Sequence, residues 1–225
     1  MTSDTIARRH IELVVFDFDG TLCDSADIKT VAFRNLYLDE HGEDFASVVE
    51  QYHLAHAGLP RFDKIRHIET HMLGSEPTEE RVDQVANRFS SLVVDAVVAA
   101  PMFDGVWPFL DAYHERIPLT IASATPTDEL RLIVERKGID GYFAAVEGSP
   151  NSKATIIRHY GDRFGIATTH TAMIGDQPSD AAAAEETGAV GIMIAPDEPW
   201  VANHLRVDTF DAAATALSRM IAQRT

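Results

Sequence analysis

Apolar runs that stop short at small or acidic residues punctuate this chain. Ile11 to Phe16 runs into Asp17, Pro118 to Ala122 into Ser123, and Thr171 to Ile174 into Gly175 and Asp176. Each is a short, nearly continuous hydrophobic stretch, the pattern of a strand buried on both faces. Val190 to Ala195 has the same character without a charge at its end. Amphipathic segments lie between these runs. Thr125, Pro126 and Asp128 read as a helix start, an N-cap followed by proline and a first-turn acid, with Leu130, Ile133 and Val134 on one face. Pro178 opens another helix through Ala181 to Ala184, which Gly188 can close. Strand and helix in alternation predict an α/β fold with a parallel sheet. Ligands of such sheets bind at the carboxyl ends of the strands, where Asp17, Ser123 and Asp176 all fall.

One long segment breaks the alternation. From Ser25 to Val98 only helical patterns recur, over Ala26 to Tyr37, Arg61 to Met72 and Glu79 to Val97. A connection of this length is much longer than an ordinary link between elements. It is therefore expected to be an inserted helical subdomain at 25–98, with 1–24 and 99–225 forming the core. Pro101 to Asp104 with Gly105 reads as the second hinge.

Composition narrows the function classes. A chain of 225 residues that is 45% hydrophobic and 24% charged can bury a proper core. Its net charge of −16 argues against nucleic acid or an anionic membrane as a partner, so an anionic substrate needs a local basic patch. Cys23 is the sole cysteine, which excludes an internal disulfide and a cysteine-based zinc cluster and fits a reducing cytoplasm. Cysteines are often buried, so Cys23 reads as a small core residue rather than a nucleophile. The polar stretch from Met1 to His10 lacks the apolar centre of a signal peptide, and no run approaches the roughly 20 apolar residues that span a bilayer. A cytoplasmic location is expected.

The candidate chemistry begins at Asp17 and Asp19, which flank Phe18. Strand alternation would aim both carboxylates the same way, where their charges repel. A divalent cation would relieve that repulsion, and oxygen ligands suit Mg2+ better than Zn2+. Alone, the string Asp17 to Gly20 reads first as a strand followed by an Asp-Gly turn. Lys153 alone reads as a solvated lysine, Ser123 as a turn residue, and Asp180 as an acid favoured by a helix N-terminus. Brought to one sheet edge, these residues supply a nucleophile, a cation and an acid, the groups phosphoryl transfer requires.

Asp17 to Thr21 (DFDGT), Ser123, Lys153 and Asp176 to Asp180 (DQPSD, after Gly175) stand in the order found in haloacid dehalogenase superfamily phosphatases. From Ile11 to about Ala195 the chain resembles that family, in particular its phosphoglycolate phosphatase-like members with a helical cap after the first motif. The resemblance implies a Rossmann-like parallel-sheet core with an inserted α-helical cap. It further implies that Asp17 is the nucleophile, forming an aspartyl-phosphate, and a Mg2+ ligand. Asp19 would be the general acid and base and bind the metal through its backbone carbonyl, with Asp176 as another ligand. Ser123 and Lys153 would hold the phosphoryl group, with Gly20, Thr21 and Asp180 in support. An acid two residues after the nucleophile favours phosphate esters over carbon–halogen bonds, because it can protonate an oxygen leaving group.

Substrate choice is expected to rest with the insertion. His53, His56, Arg61, Lys64, Arg66 and His67 form a basic cluster in an acidic protein, and Arg61 and Lys64 are candidates for binding a second anionic group on a small phosphorylated metabolite. A solvated helix face of mixed charge explains the same residues. His67 and His71, four apart, could present two imidazoles to zinc, but no third ligand is evident and they read as part of an exposed helix. Three functions fit: a Mg2+-dependent phosphatase, a phosphosugar mutase of the same superfamily, and a phosphoacceptor signalling module. Thr21 resembles the phosphatase version of the motif more than the mutase version. Monomer and homodimer are both compatible with the sequence.

Overall fold

The computed structural model describes residues 9–222 apart from 57, 196 and 197. The polar stretch 1–8, read above as lacking a signal peptide, lies outside the described residues. Two compact units emerge, one built around Asp24 and the residues before it together with Pro101 onward, the other from Ser25 to Ala100.

The first unit is a six-stranded parallel sheet flanked by helices. Its strands are β1 (Leu13–Phe16), β2 (Leu119–Pro126), β3 (Ala145–Ser149), β4 (Thr171–Gly175), β5 (Val190–Ile194) and β6 (Leu205–Val207), in the order β3-β2-β1-β4-β5-β6. Val14 pairs with Leu119 on one side and Ala172 on the other, so β1 sits between β2 and β4. Strand order reverses direction there, which opens a crevice at the carboxyl ends of these three strands.

Alternation along β1 explains how both sheet faces are covered. Leu13 and Val15 pack with Ile156, Ile157 and Tyr160 of α6 (Lys153–Phe164) and with Ala183 and Ala184 of α7 (Pro178–Thr187). The alanines of α7 let it lie close to β4 and β5. Phe16 faces the other way, its ring 5.9 Å from Phe109 of α4 (Val106–Tyr113) and 6.1 Å from Phe210 of α8 (Phe210–Ala222). Burying each such side chain stabilises the fold by about 1.5–3 kcal/mol. β1 is fully covered on both faces, and its end is correspondingly fixed.

Two sequence expectations change here. β2 continues to Pro126, and α5 begins only at Thr127 (Thr127–Arg136), so Thr125 is a strand residue and not an N-cap. The strand wins because β3 pairs along it, resuming at Pro126 with Ser149 after an irregularity in register. β3 and β6 themselves escape the pattern of apolar runs. β3 is an edge strand with a half-exposed start, and β6 is three residues long.

The second unit, from Ser25 to Ala100, is helical. It contains α1 (Ala26–Ala55), broken at Gly42, then α2 (Arg61–His67), which runs directly into a π-helical turn at Ile68–Met72, and α3 (Glu79–Ala99). Thr78 caps α3 by accepting a hydrogen bond from the Arg81 N–H. Phe33 of α1 packs against Phe89 of α3 with ring centroids 4.5 Å apart, in this unit's own core.

Candidate active site

At the end of β1 the chain must leave the sheet while keeping a carboxylate in place. The Asp17 N–H donates to the carbonyl of Ile174, extending the β1–β4 ladder by one residue. Asp17 is 5% exposed. Its Oδ1 accepts from the Phe18 N–H at 2.7 Å, and its Oδ2 lies 2.9 Å from Lys153 Nζ. Beyond it the chain folds back, with the N–H groups of Leu22 and Cys23 both donating to the Phe18 carbonyl. Cys23 is fully buried, as a core residue should be.

Gly20 is required in that turn for two reasons. Its φ of +79° is a left-handed conformation that side chains resist, and a Cβ there would lie 2.5 Å from Asp176 Oδ2. Asp176, delivered by β4, is held by the Thr21 hydroxyl at 3.0 Å on Oδ1 and by Gln177 Nε2 at 2.6 Å on Oδ2.

Lys153 comes from the first turn of α6, whose start is set by Ser152 accepting from the Thr155 N–H. Its ammonium is buried and bridges Asp17 and Asp180, at 2.9 and 2.5 Å. Asp180 is fully buried and uses its other oxygen to accept from the Gln177 N–H at 3.0 Å, closing a capping box at the start of α7. Gly175 makes room for it, since a Cβ at that position would lie 2.1 Å from the Asp180 carboxyl carbon.

Ser123 and Asp19 are tied together through Thr125. The buried Ser123 hydroxyl accepts from the Thr125 N–H at 3.1 Å, and the Thr125 hydroxyl donates to Asp19 Oδ2 at 3.3 Å. Thr125, which the sequence pattern marks as a helix cap, and Gln177, which no pattern marks, both belong to the site. Thr125 lies two residues after Ser123 on the same strand, the spacing that puts side chains on one side, and that was the available signal.

The electrostatics follow from burial. Burial, opposed by Lys153 and reinforced by Asp180 and Asp19, pushes the Asp17 carboxyl up to about 7. Burial and the neighbouring Asp17 raise Asp176 to about 6. Asp180 is also raised by burial despite its contact with Lys153, and Lys153 is raised by Asp17 and Asp180 against the effect of burial. One ligand oxygen each from Asp17, Asp176 and Asp180 lies within 4.8 Å of the others. Crowded carboxylates with raised affinity for protons form a donor set suited to a hard divalent cation.

Arg61 and Lys64 lie in the other unit, both buried rather than on a solvated helix face. The Arg61 guanidinium sits 4.6 Å from the Phe89 ring centroid and donates to Ser90 Oγ. Lys64 Nζ lies 5.3 Å from the Phe33 ring centroid and 3.3 Å from His53 Nδ1. Burial and the nearby Lys64 hold the His53 imidazole down at about 3, so it is neutral and accepts from the ammonium.

Comparison with known proteins agrees with this architecture. A Pseudomonas aeruginosa 5'-nucleotidase is 28% identical over 187 residues, covering 80% of each chain. A Mycobacterium tuberculosis protein named tyrosine-protein kinase PtkA is 27% identical over 213 residues, 92% of this chain and 67% of its own. The crystal structure of a predicted phosphoglycolate phosphatase from Haemophilus somnus superposes with a TM-score of 0.74 at 17% identity, covering 96% of this chain and 98% of its own. The family model for haloacid dehalogenase-like hydrolases matches residues 11–188. The chain therefore belongs to the haloacid dehalogenase-like hydrolase family.

Proposed function

We propose that this hydrolase is a Mg2+-dependent phosphatase of small phosphomonoesters that works through an aspartyl-phosphate on Asp17. The observation that carries the reading is the pairing of a buried Asp17 carboxylate with the Lys153 ammonium at 2.9 Å, at the carboxyl end of the central strand. One Asp17 oxygen attacks phosphorus and the ester oxygen departs with a proton from Asp19. Asp19 then takes a proton from the water that cleaves the acyl phosphate. Ser123 and Lys153 hold the phosphoryl oxygens, and Thr125 keeps Asp19 in position. Asp17, Asp176 and the Asp19 carbonyl would bind the cation, with Gly20 and Thr21 shaping the turn and Asp180 orienting Lys153. When bound, Mg2+ supplies positive charge that offsets the crowded carboxylates and the phosphoryl group.

The likeness to a 5'-nucleotidase from Pseudomonas and to a predicted phosphoglycolate phosphatase from Haemophilus supports phosphoester hydrolysis. Arg61 and Lys64 are assigned to substrate selection, each held against an aromatic ring that fixes its cation. The insertion at 25–98 serves as the cap that carries them, and a cytoplasmic location completes the reading.

A panel of nucleoside monophosphates, sugar phosphates and phosphoglycolate, assayed with Mg2+ for inorganic phosphate, tests the proposal. Release that Asp17→Asn abolishes is the expected result. Isomerised sugar phosphate without release would make the enzyme a mutase, and a long-lived phospho-Asp17 without turnover would make it a signalling module. Transfer from ATP to a protein tyrosine, the activity in the Mycobacterium relative's name, would replace hydrolysis altogether.

A further inference from the structure

Four rings form a ladder along one side of the helical unit. His56 lies 4.4 Å from Tyr52, Tyr52 4.6 Å from His67 in near-parallel stacking, and His67 4.8 Å from His71, measured between centroids. His67 and His71 are both exposed. His56 directs its Nδ1 to the Tyr52 carbonyl. Among the described residues, the rings of His67 and His71 make ring contacts, and their nitrogens take part in no hydrogen bond or ion pair.

The backbone beneath the pair is unusual. The α-helix ends at His67 and continues as a π turn over Ile68–Met72, closed by the Leu73 N–H donating to the Ile68 carbonyl at 3.0 Å. π turns are rare, and they occur frequently at functional sites. The His71 ring lies beside that of His67, tilted to it by 53°.

We propose that His67 and His71 form a surface site for a borderline divalent transition cation, Zn2+ by its chemistry, distinct from the carboxylate cluster. Imidazole suits Zn2+, Ni2+ and Cu2+, whereas the oxygen donors around Asp17 suit Mg2+. Two imidazoles bound through nitrogen at about 2.0–2.1 Å, at angles between octahedral and tetrahedral, place their ring centroids about 4.5–5.2 Å apart. The observed 4.8 Å falls inside that interval. Tyr52, stacked on His67 with an interplanar angle of 3°, fixes the orientation of one ligand in advance. Water completes the coordination sphere, and the ion clips the π turn.

Copper and zinc titrations of the full chain in saturating Mg2+ test this. The expected result is one Cu2+ per chain with two imidazole nitrogens in its electron paramagnetic resonance spectrum, bound more tightly than the Zn2+ it displaces, and a rise in melting temperature with Zn2+. Both His71→Ala and the milder His67→Gln should weaken binding by about tenfold or more, and each should leave one imidazole nitrogen on any copper that binds. Copper or zinc binding of unchanged affinity in both variants would overturn the proposal, as would a wild-type spectrum without imidazole nitrogens. A folding defect in His71→Ala leaves His67→Gln, judged by circular dichroism, to decide.

Discussion

Asp17 illustrates how burial and function pull against each other at a single residue. An unfolded chain ionises this carboxyl above about 4, whereas the folded site holds its proton up to about 7. The folded state therefore binds more protons between those values, and the Asp17 contribution to stability falls as pH rises through that window. A divalent cation that binds the ionised form offsets the loss. Melting temperatures measured with Mg2+ and with a chelator should differ more at pH 7.5 than at pH 5. A difference independent of pH would contradict this assignment of Asp17. In the proposed mechanism Thr125 acts through Asp19. Thr125→Val removes the donor to Asp19 Oδ2 and should slow turnover about fivefold to tenfold, the worth of one hydrogen bond of about 1 kcal/mol. The slowing should be greater for alkyl phosphates, which need a proton on the leaving oxygen, than for p-nitrophenyl phosphate. Equal slowing for both would remove Thr125 from that role.

The turn after β1 is the element on which the site depends. Gly20→Ala would force a side chain into a left-handed conformation and against Asp176. We expect a loss of stability of about 1–3 kcal/mol, read from urea unfolding, and a larger loss of phosphate release. A fully active, equally stable variant would contradict the geometry. This element was also the most legible in the sequence, because a buried apolar strand ending in DFDGT is constrained on every side. β3 was not legible, since its edge position leaves Ala145, Val146 and Glu147 half-exposed and removes the continuous apolar signal. The π turn was hidden for a different reason. Its spacing is set by backbone hydrogen bonds, among them that from Leu73 to Ile68, which no side-chain pattern marks. Lys153 and Asp180 were recognised from their order in the chain, but their mutual contact depends on Gly175 leaving space, which only packing reveals.

Across the whole molecule, a net charge of −16 surrounds the few buried cations. Lys153 is paired with carboxylates, while Arg61 and Lys64 rest on aromatic rings inside the 25–100 unit. That unit carries its own acid sensitivity. His53 is neutral when folded and ionises near 6.5 when unfolded, so stability is full above about 6.5 and declines as pH falls toward 3. His53→Asn, which keeps an acceptor for Lys64, should flatten the decline in thermal unfolding between pH 6.5 and pH 4. An unchanged profile would contradict a buried neutral His53. None of the helices among the described residues is long and apolar enough to cross a membrane. The Asp17 chemistry has a direct chemical readout. Borohydride added during turnover of an accepted phosphomonoester reduces an acyl phosphate to an alcohol, and peptide mapping should then recover Asp17 as homoserine. Unmodified Asp17 in the turning-over enzyme, with phosphate release persisting in Asp17→Asn, would contradict the aspartyl-phosphate mechanism.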